Sequence, residues 1–163
     1  MGAARPTLHL FCGKMAAGKS TLAQSLAKRP ATVLIGEANW IEILYPGEVK
    51  TILDYSRCSR RLREVMGPHV LSMLKVGMSV ALDFPANTIE SRRWMRAIAE
   101  EAGAALELHV LEVADDVCKQ RLQERNAAGT HAFQATGEEY EFFTSRFTPP
   151  SPEEQFNVIV HKE

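Results

Sequence analysis

Apolar positions along the chain gather in short runs separated by stretches of helical period. Residues 7–12 form an apolar run that ends at Gly13, and a helix-like stretch over 19–28 follows it, which predicts strand, turn and helix. Residues 32–35 read as a second strand, and Pro46-Gly47 marks a turn before a long segment of helix formers. Within that segment Leu62, Val65, Met66, His69, Val70 and Met73 recur at helical spacing and predict one buried stripe. Pro68 lies inside the stripe; lacking an amide proton, it predicts a kink or a helix restart. Residues 78–84 are a nearly continuous hydrophobic run, the mark of a parallel strand covered on both faces. Met95, Ile98, Ala99 and Ala102 define an amphipathic helix closed by Gly103, and residues 106–113 a fourth strand. Asp115 and Asp116 open the next helix, where their charge suits its dipole. A polar loop runs from Arg125 to about Gln134, followed by a helix over 137–147, a Pro149-Pro150 break and a last strand over 157–160. Strands alternating with helices imply right-handed βαβ units, an α/β fold with a parallel sheet, and ligands at the carboxyl ends of its strands.

With 163 residues the chain fits one domain, spanning 1–163. Its 45% hydrophobic and 24% charged residues and formal net charge of -1 exclude a disordered tail and a strongly basic nucleic-acid binder. Cys12, Cys58 and Cys118 are odd in number and form no CxxC pair, which argues against a disulfide framework or a cysteine zinc site and for a cytoplasmic setting. No apolar run approaches the roughly 20 residues of a membrane-spanning helix. His9 and His109 fall inside strand patterns and read as structural; Trp40, Trp94 and the Phe142-Phe143 pair read as core or cleft packing.

One segment carries chemistry. Gly13-Lys14-Met15-Ala16-Ala17-Gly18-Lys19-Ser20-Thr21 satisfies GxxxxGK[ST], with the strand before it and the helix after it that the motif requires. The glycines let the backbone fold around phosphate oxygens, while successive amides and the helix N-terminus supply positive potential. Lys19 then reaches the β and γ phosphates, and the Ser20 hydroxyl ligates Mg2+. Thr21 stands near the α phosphate, and Lys14 is either a phosphate contact or a solvated lysine. Asp83, at the end of its strand, stands where a carboxylate would complete the magnesium shell or take a proton. Glu37, at the end of the second strand, is either a general base or an exposed glutamate. Arg121 and Arg125 are one helical turn apart before the flexible loop, placed either to close on the phosphates or to form a solvated face. Arg57, Arg60, Arg61 and Arg63 crowd the start of the long helix, either to hold an anionic acceptor or as a charged outer face, and His131 in the loop is either a nucleotide or substrate contact or an exposed histidine.

These motifs together resemble the AAA-domain family of small P-loop kinases, related to zeta toxins, chloramphenicol phosphotransferase and polynucleotide kinases. The resemblance runs through GKMAAGKST, GEANWIEILYPGE, VALDFPANT, RLQERN, GTHAFQ and FTPPSPEE, and so spans nearly the whole chain. It implies a three-layer P-loop fold with a five-stranded sheet in the order 2-3-1-4-5, a lid at about 126–134, and ATP as donor. In relatives an aspartate similar to the group's catalytic base stands where this chain has Ala38, and many have glycine where it has Ala16.

The leading expectation is therefore an ATP-dependent phosphotransferase acting on a small hydroxyl-bearing acceptor. A nucleotide-binding regulatory module with weak or no transfer is the competing one, motivated by Ala38. A polynucleotide 5′-kinase would need a basic channel, which the near-neutral charge disfavours. Neither a membrane nor an obligate protein partner is implied.

Overall fold

The computed structural model describes residues 5–129 and 134–162. Strands β1 (Thr7–Cys12), β2 (Thr32–Gly36), β3 (Ser79–Pro85), β4 (Ala105–Glu112) and β5 (Val158–Lys162) make one sheet in the order β2-β3-β1-β4-β5. Every adjacent pair is parallel. Helices α1 (Lys19–Leu26), α2 (Glu37–Leu44), α3 (Ile52–Lys75), α4 (Ile89–Ala102), α5 (Asp115–Ala128) and α6 (Gly137–Ser145) connect and cover the strands. The expected α/β class and strand order are both present.

Alternation along the strands divides the core into layers. Leu8, Leu10 and Cys12 of β1 join Val80, Leu82 and Phe84 of β3 in the large cluster that Leu62, Met66 and Val70 of α3 and Met95 and Ile98 of α4 complete. The intervening Phe11 and Ala81 meet Ala23 and Leu26 of α1 on the opposite face. A third cluster packs Cys118 and Leu122 of α5 and Tyr140 of α6 against Ala17 of the phosphate loop. Cys12, Cys58 and Cys118 are free and buried. Among the described residues no helix is long and apolar enough to cross a membrane.

Several expectations need correction. The buried face of α3 is Cys58, Leu62, Met66, Val70 and Leu74 at four-residue spacing, with Gly67 beside it, whereas Val65 is 64% exposed and His69 is also on the outside. The helix does not restart at Pro68 but runs unbroken through it. Next to that proline, buried Gly67 faces the Trp94 indole, where a Cβ would stand at ordinary contact distance, 3.5 Å from Trp94 Nε1. Trp40, expected in core or cleft packing, is 37% exposed and so lies outside the core. Helix α2 is an element the apolar pattern did not reveal, because only Glu37 and Ile41 of its eight residues are buried. Glu37 therefore opens a helix instead of ending a strand.

The chain after α6 returns across α4, where Arg92 makes most of the polar contacts that hold it. Arg92 is fully buried, forms a two-point ion pair with Glu154 (Nε–Oε1 2.9 Å, Nη2–Oε2 3.2 Å), and donates from Nη1 to the carbonyls of Ala86 and Thr148. The same Glu154 closes a capping box on the short 3-10 turn Pro152–Glu154. This is the structural content of the FTPPSPEE segment.

Candidate functional site

At the carboxyl end of β1, residues 13–18 turn tightly before α1 begins at Lys19. Two loop residues have positive φ, Ala16 at 65° and Gly18 at 106°, a region that glycine enters freely and alanine only at a cost. Gly13 is hemmed in as well, because a Cβ there would stand 3.3 Å from Ala17 Cβ and from the Leu111 carbonyl. Lys19 curls back over the loop, its ammonium donating to the carbonyls of Gly13 (2.5 Å) and Lys14 (2.8 Å). Burial pushes its pKa down to about 8, the Asp83 carboxylate opposing that shift.

Asp83 reaches the loop through an irregularity in β3. Opposite β1 the register passes from His9–Ala81 to Phe11–Pro85, so β3 bulges beside the loop, as strands often do next to functional sites. On its other side Asp83 keeps regular register with Gly36 of β2. The outcome is a 2.6 Å hydrogen bond from Ser20 Oγ to Asp83 Oδ2. Two hard oxygen donors from sequence-distant segments thus meet at the mouth of the loop, a donor pair that fits Mg2+ completed by water and phosphate oxygens.

Other predicted residues gather with them. Arg121 of α5 donates from Nη1 to the Ala17 carbonyl at 3.4 Å. Arg125, one turn on, is partly buried, its Nε has no hydrogen-bond partner, and burial lowers its pKa. Lys14 is tied to Asp115 at 2.7 Å, and Asp115 also accepts from the Tyr140 hydroxyl. Met15, Ala16 and Ala17 supply backbone. Thr21 lies exposed on the first turn of α1.

Glu37 is neither exposed nor alone. It is 2% exposed and Arg63 Nη2 stands 3.5 Å from its Oε2, which has no hydrogen-bond partner. Burial raises its pKa, with Arg63, Ser59 and Tyr55 opposing. Arg63 in turn donates to Ser91 Oγ, lies over the rings of Trp94 and Phe84, and leaves its own Nε without a hydrogen bond. Tyr55 of α3 sits among the carboxylates of Glu37 and Asp83 and the guanidinium groups of Arg63 and Arg125. Burial first, then those carboxylates, hold its hydroxyl well above its ordinary pKa. Within the Arg57 to Arg63 cluster, Arg63 turns inward to Glu37 while Arg57 pairs with Asp54 on its own helix.

Sequence reasoning did not single out Tyr55 or Asn87, and it named Arg63 only as one member of the arginine cluster at the start of the long helix. Asn87 accepts the Gly13 amide at Oδ1 and donates from Nδ2 to the Gly13 carbonyl, both at 2.9 Å. Its signal was its place just after the Asp83 strand, within VALDFPANT. Of the expected lid, Asn126 donates to the Ala135 carbonyl at 2.7 Å, tying the end of α5 to the segment that leads into α6. His131 lies outside the described residues.

An AAA-domain family model matches residues 8–150. No curated protein matches the sequence. Among solved structures, a candidate kinase from Chloroflexus aurantiacus is similar over 99% of this chain and 87% of its own, with TM-score 0.79 and 20% identity. Chaetomium thermophilum Kti12, solved with ADP-AlF3, is similar over 95% of this chain and 88% of its own, with TM-score 0.73 and 15% identity. The APS kinase of Mycobacterium tuberculosis, solved with AMPPNP and APS, covers 97% and 88% respectively, with TM-score 0.60 and 18% identity. At such identities the likeness concerns the fold, a P-loop kinase-like one.

Proposed function

This chain belongs to the AAA-domain family, and from that premise we propose that it binds Mg-ATP and transfers the γ-phosphoryl group to a small hydroxyl-bearing acceptor. The observation that carries the reading is the meeting of Ser20 and Asp83 at 2.6 Å beside the Lys19 ammonium. Loop amides beyond Gly13, whose own amide is held by Asn87, cradle the phosphates, and Lys19 exchanges its loop carbonyls for β and γ oxygens. Ser20 and Asp83 hold Mg2+, which neutralises phosphate charge when bound with the nucleotide. Arg125, with a buried Nε free to donate, and Arg121 stabilise charge on the transferring group.

The acceptor lies toward Glu37, Tyr55 and Arg63. Two buried polar atoms there, Glu37 Oε2 and Arg63 Nε, lack hydrogen-bond partners, which suits a polar hydroxylated molecule better than an apolar one. In the transfer the acceptor oxygen bonds to the γ phosphorus, the bond from that phosphorus to the bridging oxygen breaks, and ADP leaves. Glu37 takes the hydroxyl proton, helped by the raised pKa that burial gives it. Incubation with γ-labelled ATP, Mg2+ and fractionated metabolite pools tests this. A labelled small product that disappears in Asp83→Asn is expected; tight Mg-ATP binding with no transfer to any pool overturns it.

A second reading, a nucleotide-binding regulatory module, is favoured by Ala38 together with the pairing of Glu37 to Arg63. Ala38→Asp discriminates the two. Transfer that emerges only in the substituted protein supports the module, and transfer already present in the unaltered protein removes it.

A further inference from the structure

Parallel strands buried on both faces are normally apolar throughout, yet one face of this sheet carries four polar side chains side by side. They are His9 on β1, Glu107 and His109 on β4, and His161 on β5. Both His9 and His109 are 3% exposed. Helix α1, which covers this face, has only eight residues and buries Phe11 and Ala81 beneath Ala23 and Leu26.

The cluster has a definite geometry. His9 Nδ1 lies 3.2 Å from His109 Nε2 and 3.1 Å from Glu107 Oε2, and His109 Nε2 lies 3.4 Å from that same oxygen. Ligand atoms bonded to one tetrahedral zinc at about 2.0–2.1 Å are separated by roughly 3.3–3.4 Å. The three atoms therefore outline one face of such a tetrahedron. The far side of His109 is also held: its Nδ1 is 3.0 Å from His161 Nε2, and its ring stacks on Phe11. In the tautomer that donates Nδ1–H to His161, His109 Nε2 keeps its lone pair toward the triangle, the partner arrangement that orients metal-bound histidines. Glu107 is the solvent-facing member, with 28% of its side chain exposed, and gives an ion a way in and a place for water. Arg29, in the connection between α1 and β2, is the nearby positive charge that such a site must tolerate, and Glu107 offsets it.

We propose that His9, Glu107 and His109 form a binding site for one divalent transition-metal ion of the zinc class, with water as fourth ligand and His161 as a positioning residue. Two imidazoles and a carboxylate suit zinc, cobalt(II) or nickel(II) and not magnesium or calcium. The site is separate from the phosphate loop, and the ion would tie β1, the strand that delivers the loop, to β4. The proposal does not depend on phosphotransfer.

Titrating the full chain with zinc chloride against a chromophoric chelator tests it, with the absorption spectrum of the cobalt(II) form as a second readout. One equivalent of zinc is expected, with a four-coordinate cobalt spectrum and a rise in melting temperature. His9→Gln and His109→Asn are expected to weaken binding at least about 100-fold, and His161→Gln about 10–100-fold. His69→Gln, on the outer face of α3, leaves it unchanged. Should a buried variant misfold, Glu107→Gln, at a partly exposed position, must still weaken zinc and alter the cobalt spectrum. Absence of stoichiometric zinc binding by the unaltered protein, or binding indifferent to all of these substitutions except His69→Gln, overturns the proposal.

Discussion

Asn87 grips Gly13 at both of its backbone polar groups, accepting its amide and donating to its carbonyl at 2.9 Å each. One side chain thereby completes the end of β1 as a neighbouring strand would. With the Ala86 amide donating to the Phe11 carbonyl and Ser20 to Asp83, that pair of bonds ties the phosphate loop to the end of β3. Thr148 donates its amide to the Asn87 carbonyl at 2.8 Å, so the returning C-terminal segment supports the grip from behind.

Asn87→Ala leaves both Gly13 groups without this partner, at a cost of about 1–3 kcal/mol in stability. Denaturant unfolding should register that loss, and calorimetry a weaker Mg-ATP affinity. Asn87→Asp should be no better, since it sets a carboxylate against the Gly13 carbonyl. Unchanged affinity in both variants would show that the loop holds its shape unaided.

Lys19→Ala removes the cation that burial and the loop carbonyls hold at the site. A charge-assisted contact of about 1.5–3 kcal/mol corresponds to roughly 10–100-fold weaker Mg-ATP binding. The pH dependence has a definite sign. With its pKa lowered to about 8, Lys19 in the free protein is losing its proton above that pH, while phosphate oxygens favour the charged form. Binding therefore takes up a proton above about pH 8, and affinity falls with rising pH by at most about tenfold per unit. Calorimetry in buffers of different ionisation enthalpy measures the uptake, which Lys19→Ala should abolish.

Glu154→Gln weakens the two-point pair with buried Arg92 and is expected to cost about 1–3 kcal/mol. Arg92→Ala, which also orphans the carbonyls it serves, should cost about 3–5 kcal/mol. Arg92 and the Ser151 amide hold the Glu154 carboxyl below its ordinary pKa. The stabilisation from that shift is present above the ordinary carboxylate range and lost as pH falls through the lowered value. Unfolding curves of the unaltered protein and Glu154→Gln should accordingly converge in acid, and a gap that stays constant from pH 7 to 3 would contradict the pairing.

Ala16 sits at φ 65° in the loop, where a Cβ costs about 1–2 kcal/mol. Ala16→Gly should therefore stabilise the protein by about 1 kcal/mol, the gain reduced by the greater freedom of glycine in the unfolded chain. A fall in melting temperature would mean that the methyl group, which packs in the cluster around Ala17 and Cys118, matters more than the strain.

Much of this protein could be read from local pattern. The run over 7–12, the glycines and lysine of the loop, and the acidic start of α5 each announce their element through residues adjacent in the chain. Helix α2 stayed hidden because it buries only one apolar side chain, Ile41, and so has no stripe to detect. Val65 was misplaced for a related reason: three- and four-residue spacings look alike until α4 and the sheet select which ridge of α3 is covered.

The sequence by itself determined the phosphate-loop motif and the alternation of strands and helices, because each depends on a few consecutive residues and their backbone preferences. Only the tertiary structure decided that Asn87 clasps Gly13, that Glu37 is buried against Arg63 beside Tyr55, and that three histidines and Glu107 share one face of the sheet. Those neighbours lie far apart in the chain. Their meeting follows from strand order, register and which helix face is buried, and no local pattern encodes these.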